Sequence, residues 1–378
     1  MLRNCCASTV NERQIVKIPY HTLLAGLAAV ALGMASAFFT PSWRGSAVSA
    51  GGPPATTQAA ATSWISLVPP AGTRPATVPA DAAPEGYHLV WHDEFDNDGP
   101  LNASDWGYEN GFVRNQEAQY YQPENALCKD GFLVIAAIKE TKPNPRFNGP
   151  QPTSTTATAT TATAPSTARG RGANRTTRAG WPNLPTITIT SASINTRGKH
   201  EFTYGRFEIR AKIDTRAGSW PAFWTLGTSG GWPANGEVDI MEYYRDMVLG
   251  NIAWQGARGA TWNSVRKPLN GFSKDFSDTF HVWRMDWDET SIKLFLDDVK
   301  VNEQDLSRTV NSGGRANGVN PFVDRPVYLL LNQAIGGQNG GDYSQTKFPV
   351  YFYIDYVRVW QKTSAARTQP SLKTPQSP

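Results

Sequence analysis

The stretch "WPANGEVDIMEYY", residues 232–244, sets three acids, Glu237, Asp239 and Glu242, into six positions whose other members are Val, Ile and Met. Carboxylates are almost never fully buried unless they are paired, so a run that reads as a core strand has no plain use for them. Their spacing is also unequal, two residues and then three. In a strand, residues i and i+2 share a face. Glu237 and Asp239 therefore point together, and Val238 and Ile240 point the other way. Glu242 is an odd number of positions from both and in a regular strand would fall on the opposite face. One extra residue restores the alignment, and a β-bulge supplies it; Met241 is the natural candidate. The spacing thus predicts a bulged strand with all three acids on one side.

That arrangement suggests chemistry. Four strand steps of ~3.3 Å separate the Cα atoms of Glu237 and Glu242 by ~13 Å. Side chains leaning inward bring their carboxyls to roughly 5–6 Å, the spacing of retaining glycosidases. One carboxylate would attack the sugar carbon, the other would protonate the leaving oxygen, and Asp239 between them would tune both. Taken alone, E-x-D-x-x-E more often marks an acidic surface strand or a divalent-ion site. The neighbours matter: Trp220, Trp224 and Trp232 precede the acids, and Trp254 and Trp262 follow. Indole faces stack on the apolar faces of sugar rings, and they also fill cores.

Outward from this stretch the chain reads as many short strands. "GRFEIRAKI" (205–213) alternates apolar and charged residues, "SIKLFLDDVKV" (291–301) reads as a hairpin turning at Asp297–Asp298, and "YFYIDYVRVW" (351–360) is aromatic and β-branched. Strands punctuated every 8 to 12 residues or so, with few helical periods, predict an all-β sandwich or barrel. Residues 84–362 form one domain in this reading. It is interrupted at about 145–180 by "TSTTATATTATAPSTA" and a basic run, too poor in apolar residues to order themselves.

Upstream, Arg3, Arg13 and Lys17 precede the apolar run 23–39, with small-residue cleavage candidates at 35–37 and 48–50. Residues 1–50 read as a signal for export (secreted, periplasmic or cell surface) or, if retained, as a membrane anchor. Residues 51–83 read as a linker and 363–378 as a disordered tail. With Cys5 and Cys6 in the leader, Cys128 stands alone, so no intrachain disulfide is expected and Cys128 reads as a small packed residue. The 378 residues carry a net charge of +4 from 36 basic and 32 acidic side chains, with no basic block, so no nucleic-acid partner is implied. No stable protein partner is implied either. None of the five histidines forms a metal-ligand pair.

"GSWPAFWTLG…WPANGEVDIMEYY" resembles the active-site strand of the family 16 glycoside hydrolases. "LVWHDEF", "NQEAQYYQPENALCKDGFLVIAA", "SASINTRGKHEFTYGRFEIRAKI", "FHVWRMDWDETSIKLFLDD" and "LLLNQAIGG…IDYVRVW" are similar to other parts of that family, in its order. The resemblance covers 87–361 apart from the insertion. It implies a β-jelly-roll sandwich of two antiparallel sheets with an open concave substrate cleft. It implies retaining hydrolysis, with Glu237 as nucleophile, Glu242 as acid/base and Asp239 assisting. The extra residue in the acid motif, together with "NQEAQYY", is most similar to the laminarinase (endo-β-1,3-glucanase) branch. By that similarity Asn115, Glu117, Arg206, Trp224 and Trp232 would line the glycone side, and Trp220, Trp254 and Gln333 complete the expected substrate-binding set. No cofactor is required for catalysis; a structural calcium would map onto Glu94, the carbonyl of Gly131 and Asp355. One departure is Trp254, which stands where laminarinases usually carry a histidine. Three functions follow as expectations: an exported endo-hydrolase of β-1,3- or mixed β-1,3/1,4-glucan, the same chemistry on an algal galactan, or a carbohydrate-binding protein without turnover.

Overall fold

In several strands apolar and polar residues alternate with burial, one residue in and the next out. The computed structural model describes residues 83–148 and 184–363. The segment 1–50 and nearly all of the linker, insertion and tail lie outside the described residues. In chain order the strands are β1 (Tyr87–Asp93), β2 (Gly107–Tyr108), β3 (Tyr120–Tyr121), β4 (Ala126–Lys129), β5 (Phe132–Pro143) and β6 (Thr186–Ser191). They continue with β7 (Ser193–Asn195), β8 (Gly205–Ile213), β9 (Ser219–Gly227), β10 (Glu237–Tyr244), β11 (Met247–Gly256) and β12 (Gly259–Pro268). The last are β13 (His281–Trp287), β14 (Ser291–Leu296), β15 (Val299–Asp305), β16 (Val327–Ile335) and β17 (Val350–Lys362).

Two sheets result. One runs β15-β14-β13-β8-β17-β5-β6-β3, with β1 on β17 and β4 on β5; the other runs β12-β11-β10-β9-β16-β7-β2. All pairings are antiparallel except β3 with β6. The chain crosses from sheet to sheet between β1 and β2, β2 and β3, β6 and β7, β7 and β8, β8 and β9, β12 and β13, β15 and β16, and β16 and β17, which makes the jelly-roll sandwich expected from the sequence. The core lies between the sheets. In β8 Phe207, Ile209, Ala211 and Ile213 are buried while Arg206, Glu208, Arg210 and Lys212 alternate outward. The β14–β15 hairpin turns where expected, with Asp297 and Asp298 both at positive φ, 47° and 64°. Cys128 is free and packed in the core. The Thr/Ala-rich segment joins two adjacent strands: Pro143 of β5 pairs with Thr186 of β6, and Asn144 Nδ2 donates to the Leu184 carbonyl at 2.8 Å.

β10 carries the predicted bulge. Val238, Ile240, Met241 and Tyr243 all enter the core, so two consecutive residues, Ile240 and Met241, point the same way. Against β9, Asp239 pairs with Trp224 and Met241 with Phe223, so the residue without a partner is Ile240 and not Met241. Against β11, Ile240 and Met241 together span the single residue Gly250, between Asp239–Asn251 and Glu242–Leu249. The register therefore advances four residues on β9, from Leu226 to Ala222, while β10 advances from Glu237 to Glu242.

The chain enters β10 through Gly236, at φ +77°, where an added Cβ would lie 2.7 Å from Phe322 Cε1 and 2.9 Å from Pro321 Cβ. A side chain in the left-handed region costs about 1–2 kcal/mol, and overpacking adds about 1–3 kcal/mol. Gly236→Ala is expected to lower the unfolding free energy by roughly 2–4 kcal/mol, read as a lower urea midpoint at unchanged slope.

Candidate active site

The outer face of the seven-stranded sheet can be read as rows running across the strands. One row is Tyr328, Leu226, Glu237, Ala253 and Trp262, from β16 to β12. The next is Leu330, Trp224, Asp239, Asn251 and Ser264. The third is Asn332, Ala222, Glu242, Leu249 and Arg266. The bulge places each acid in its own row, all on this face.

Each acid has a built partner. Trp232 Nε1 donates to Glu237 Oε2 at 2.5 Å, and Trp220 Nε1 donates to Glu242 Oε1 at 2.7 Å. Asn251 Nδ2 donates to both Asp239 Oδ2 at 3.0 Å and Glu242 Oε2 at 2.8 Å. One amide thus ties the second and third rows together. Asp239 and Glu242 are 6% and 8% exposed. Burial, more than any neighbour, pushes all three carboxyls up. Asp239 is pushed to about 6, against the pull of its Asn251 bond. Glu237 and Glu242 are held well above the usual carboxylate range, first by burial and then by the charge of Asp239. The indole N–H groups act the other way, because a donor favours the ionised form. Like charges this close do not all ionise together, so the cluster keeps protons at neutral pH. A cluster with one carboxyl protonated and another charged can give and accept a proton at one place.

Trp224, in the row of Asp239, donates through Nε1 to Asn332 Oδ1 at 2.8 Å, and the Arg114 guanidinium covers its ring at 5.0 Å. Arg114 is itself ion-paired with Glu109. Its loop carries the expected Asn115 and Glu117. Glu117 is buried and accepts from Asn115 Nδ2 at 3.3 Å and Gln119 Nε2 at 2.8 Å. The loop is fastened beside the end of β16, where Ala118 N donates to the Ile335 carbonyl at 2.8 Å. Glu117 therefore holds the loop together, and Asn115 is exposed on it.

Three expected residues lie elsewhere. Arg206 sits on the outer face of the other sheet, where strand alternation turns it away from the acids. It forms a two-point pair with Asp286 on β13, at 2.7 and 3.0 Å. Trp254 turns into the core, because the register that puts Asn251 and Ala253 outward puts Ile252 and Trp254 inward. The residue facing outward beside Glu237 is Ala253. Gln333 is fully buried beside the outward Asn332, with Nε2 donating to Ser219 Oγ at 3.1 Å. The expected calcium ligands do not fit a cation as they stand. Glu94 accepts from both Nε and Nη2 of Arg358, each at 2.8 Å, and the buried Asp355 accepts from Arg210 at 2.5 Å. Each carboxylate is already neutralised by a guanidinium, which would also repel a dication.

A family model described as "Glycosyl hydrolases family 16" matches residues 153–347. The beta-glucanase of Rhodothermus marinus is 32% identical over 301 residues, which cover 75% of this chain and 87% of that protein. The chain spans 39% and 35% of the length of two other curated relatives that it matches. Among solved structures, the catalytic domain of an endo-1,3-beta-glucanase (laminarinase) from Thermotoga petrophila RKU-1 aligns with a TM-score of 0.56 and 30% identity, covering 74% of this chain and 99% of that one. A structure from work on endo-acting O-glycanases, which prominent members of the human gut microbiota express to initiate mucin breakdown, aligns with a TM-score of 0.60 and 32% identity, covering 75% and 94%.

The raised carboxyls also set a stability profile. A carboxyl whose folded pKa lies above its unfolded one stabilises the fold fully below the unfolded value and loses that contribution as pH rises through the folded value. For Asp239 the window runs from its ordinary 3.8 to about 6. Asp239→Asn is therefore expected to be more stable than the parent at pH 8, by roughly 3 kcal/mol, and equal to it below pH 4. Thermal unfolding at the two pH values checks this.

Proposed function

The chain belongs to glycosyl hydrolase family 16, and from that membership we propose that it is an exported, retaining endo-glycosidase acting on β-1,3- or mixed β-1,3/1,4-glucan. The observation that carries the mechanism is the bulged strand, which aims Glu237, Asp239 and Glu242 at one place with donors on each. Glu237 is the nucleophile. The Trp232 N–H favours its charged form, the form that attacks. Glu242, the more buried glutamate, starts protonated and donates to the glycosidic oxygen as the bond breaks. Glu237 then holds the sugar covalently. Water enters, Glu242 removes its proton, and attack on the same carbon restores the starting configuration. The glycone lies toward β9 and the loop of Arg114, with Trp224 beneath it, and the leaving chain lies toward β11 and β12.

The glucan assignment rests on the named activities of the beta-glucanase and laminarinase relatives. A galactan or a host-type glycan is the second reading, favoured by the O-glycanase likeness and by Ala253, which offers no donor beside Glu237. A sugar-binding role without turnover would leave the paired donors on the acids without purpose. Export rests on the leader-like residues 1–50.

The test is a polysaccharide panel (laminarin, a mixed-linkage cereal glucan, agarose, carrageenan and a poly-N-acetyllactosamine glycan), read by reducing ends released. Laminarin or the mixed glucan is expected to be cleaved fastest. Glu237→Gln and Glu242→Gln should each lose at least about a hundredfold to ten-thousandfold in kcat. Proton NMR of fresh product should show the β-anomer first; first appearance of the α-anomer would refute the retaining mechanism.

A further inference from the structure

Glu242 is held from both sides of its strand. Trp220 on β9 donates to Oε1 at 2.7 Å, and Asn251 on β11 donates to Oε2 at 2.8 Å. The carboxyl cannot rotate about its Cγ–Cδ bond without breaking both. Asn251 is the cross-strand partner of Asp239, and the same nitrogen, Nδ2, donates to Asp239 Oδ2 at 3.0 Å. Its two N–H bonds diverge in one plane at a fixed angle, so the amide sets the spacing of the two carboxyls it joins. Asn251 is 4% exposed, and its Oδ1 is buried with no hydrogen-bond partner among the described residues. A buried oxygen without a donor is costly. Turning the amide over would set Oδ1 against two carboxyl oxygens and strand the nitrogen instead. The side chain thus leaves one acceptor unused and keeps both of its donors on the acids.

We propose that Asn251 is a positioning residue for the acid/base: it holds Glu242 in register with Asp239 for proton donation and supports the charge that donation leaves behind. As the proton of Glu242 passes to the glycosidic oxygen, the bond from that oxygen to the sugar carbon breaks and a Glu237 oxygen bonds to the carbon. Glu242 is then a carboxylate, and a donor favours the ionised form. Water later gives its proton to Glu242 and its oxygen to the sugar carbon, which releases Glu237. Burial raises Glu242 and Asp239 most, and the Asn251 bond acts against it on both. The charged and titratable groups around Glu242 are Glu237, Asp239 and Tyr244 on its own strand and Arg266 on β12. The neighbouring strands β9 and β11 present neutral donors to it, Trp220 and Asn251. The inference rests on the hydrolase reading and deepens it.

The test compares two substrates by kcat/KM, which reports the step that forms the glycosyl-enzyme. Laminarihexaose has a sugar leaving group that needs a proton. Dinitrophenyl β-laminaribioside has one that leaves without help. Asn251→Leu, similar in shape but without donors, is expected to lower kcat/KM about tenfold for the hexaose and less than about threefold for the aryl glycoside, a part of what general acid catalysis supplies. It should also move the basic limb of the hexaose pH profile up by about one pH unit, because losing a donor raises the carboxyl that must keep its proton. Asn251→Asp, which keeps the shape and puts a charge where the donors were, should move that limb further up; it decides alone if the leucine variant does not fold. An unmoved limb, or equal losses on both substrates, would overturn the assignment, since loosened packing lowers both alike and leaves the limb in place. Failure of the wild-type chain to cleave either substrate would overturn the underlying glucan-hydrolase reading instead.

Discussion

A strand can bury one face and expose the other only by strict alternation, and β10 must violate that rule once. Between Asp239 and Glu242 it sends Ile240 and Met241 into the core in succession. Without this step Glu242 would enter the apolar layer between the sheets, and Met241 would stand on the solvent side. The bulge keeps the core apolar and the acid array intact together. Gly250 on β11 faces the doubled residues, where an added Cβ would crowd Leu294 Cδ1 at 3.1 Å.

Grouping three carboxyls on a buried face is costly, and the surroundings answer it with N–H donors rather than cations. Two indoles and one carboxamide approach the three acids. A lysine or arginine in contact would hold them ionised and leave no proton to donate. Neutral donors moderate the effect of burial without abolishing it. Arg266 acts on Glu242 as a lesser influence than burial, Asp239 and the two donors.

Much of this was legible in the primary structure. The alternation of β8, the turn at Asp297–Asp298 and the bulged acid strand all follow from periods of two and one counted exception. Two of the misplaced residues share one physical cause, which is parity. Trp254 and Gln333 sit in strands of the right sheet, yet their facing depends on where the preceding turn fixes the register. The β10–β11 turn uses Arg245 and Asp246, both at positive φ, 48° and 57°, a pair without the glycine that usually marks such a turn. Placing it correctly would have put Asn251 opposite Asp239 and turned Trp254 inward. Arg206 failed for another reason. Its strand is cleanly amphipathic, and nothing in a single strand says which sheet it joins. Arg114 gave no warning at all, since its role rests on Trp224, distant in the chain.

β12 contributes no fully buried residue along its whole length, whereas every residue of β16 is buried. The strand at the sheet's edge is therefore the part of the site that the core constrains least. Substitutions at its outward positions change the groove without opening a cavity or straining a neighbour. In the proposed mechanism the acids sit on a strand that tolerates almost no change, beside an edge strand that tolerates a great deal.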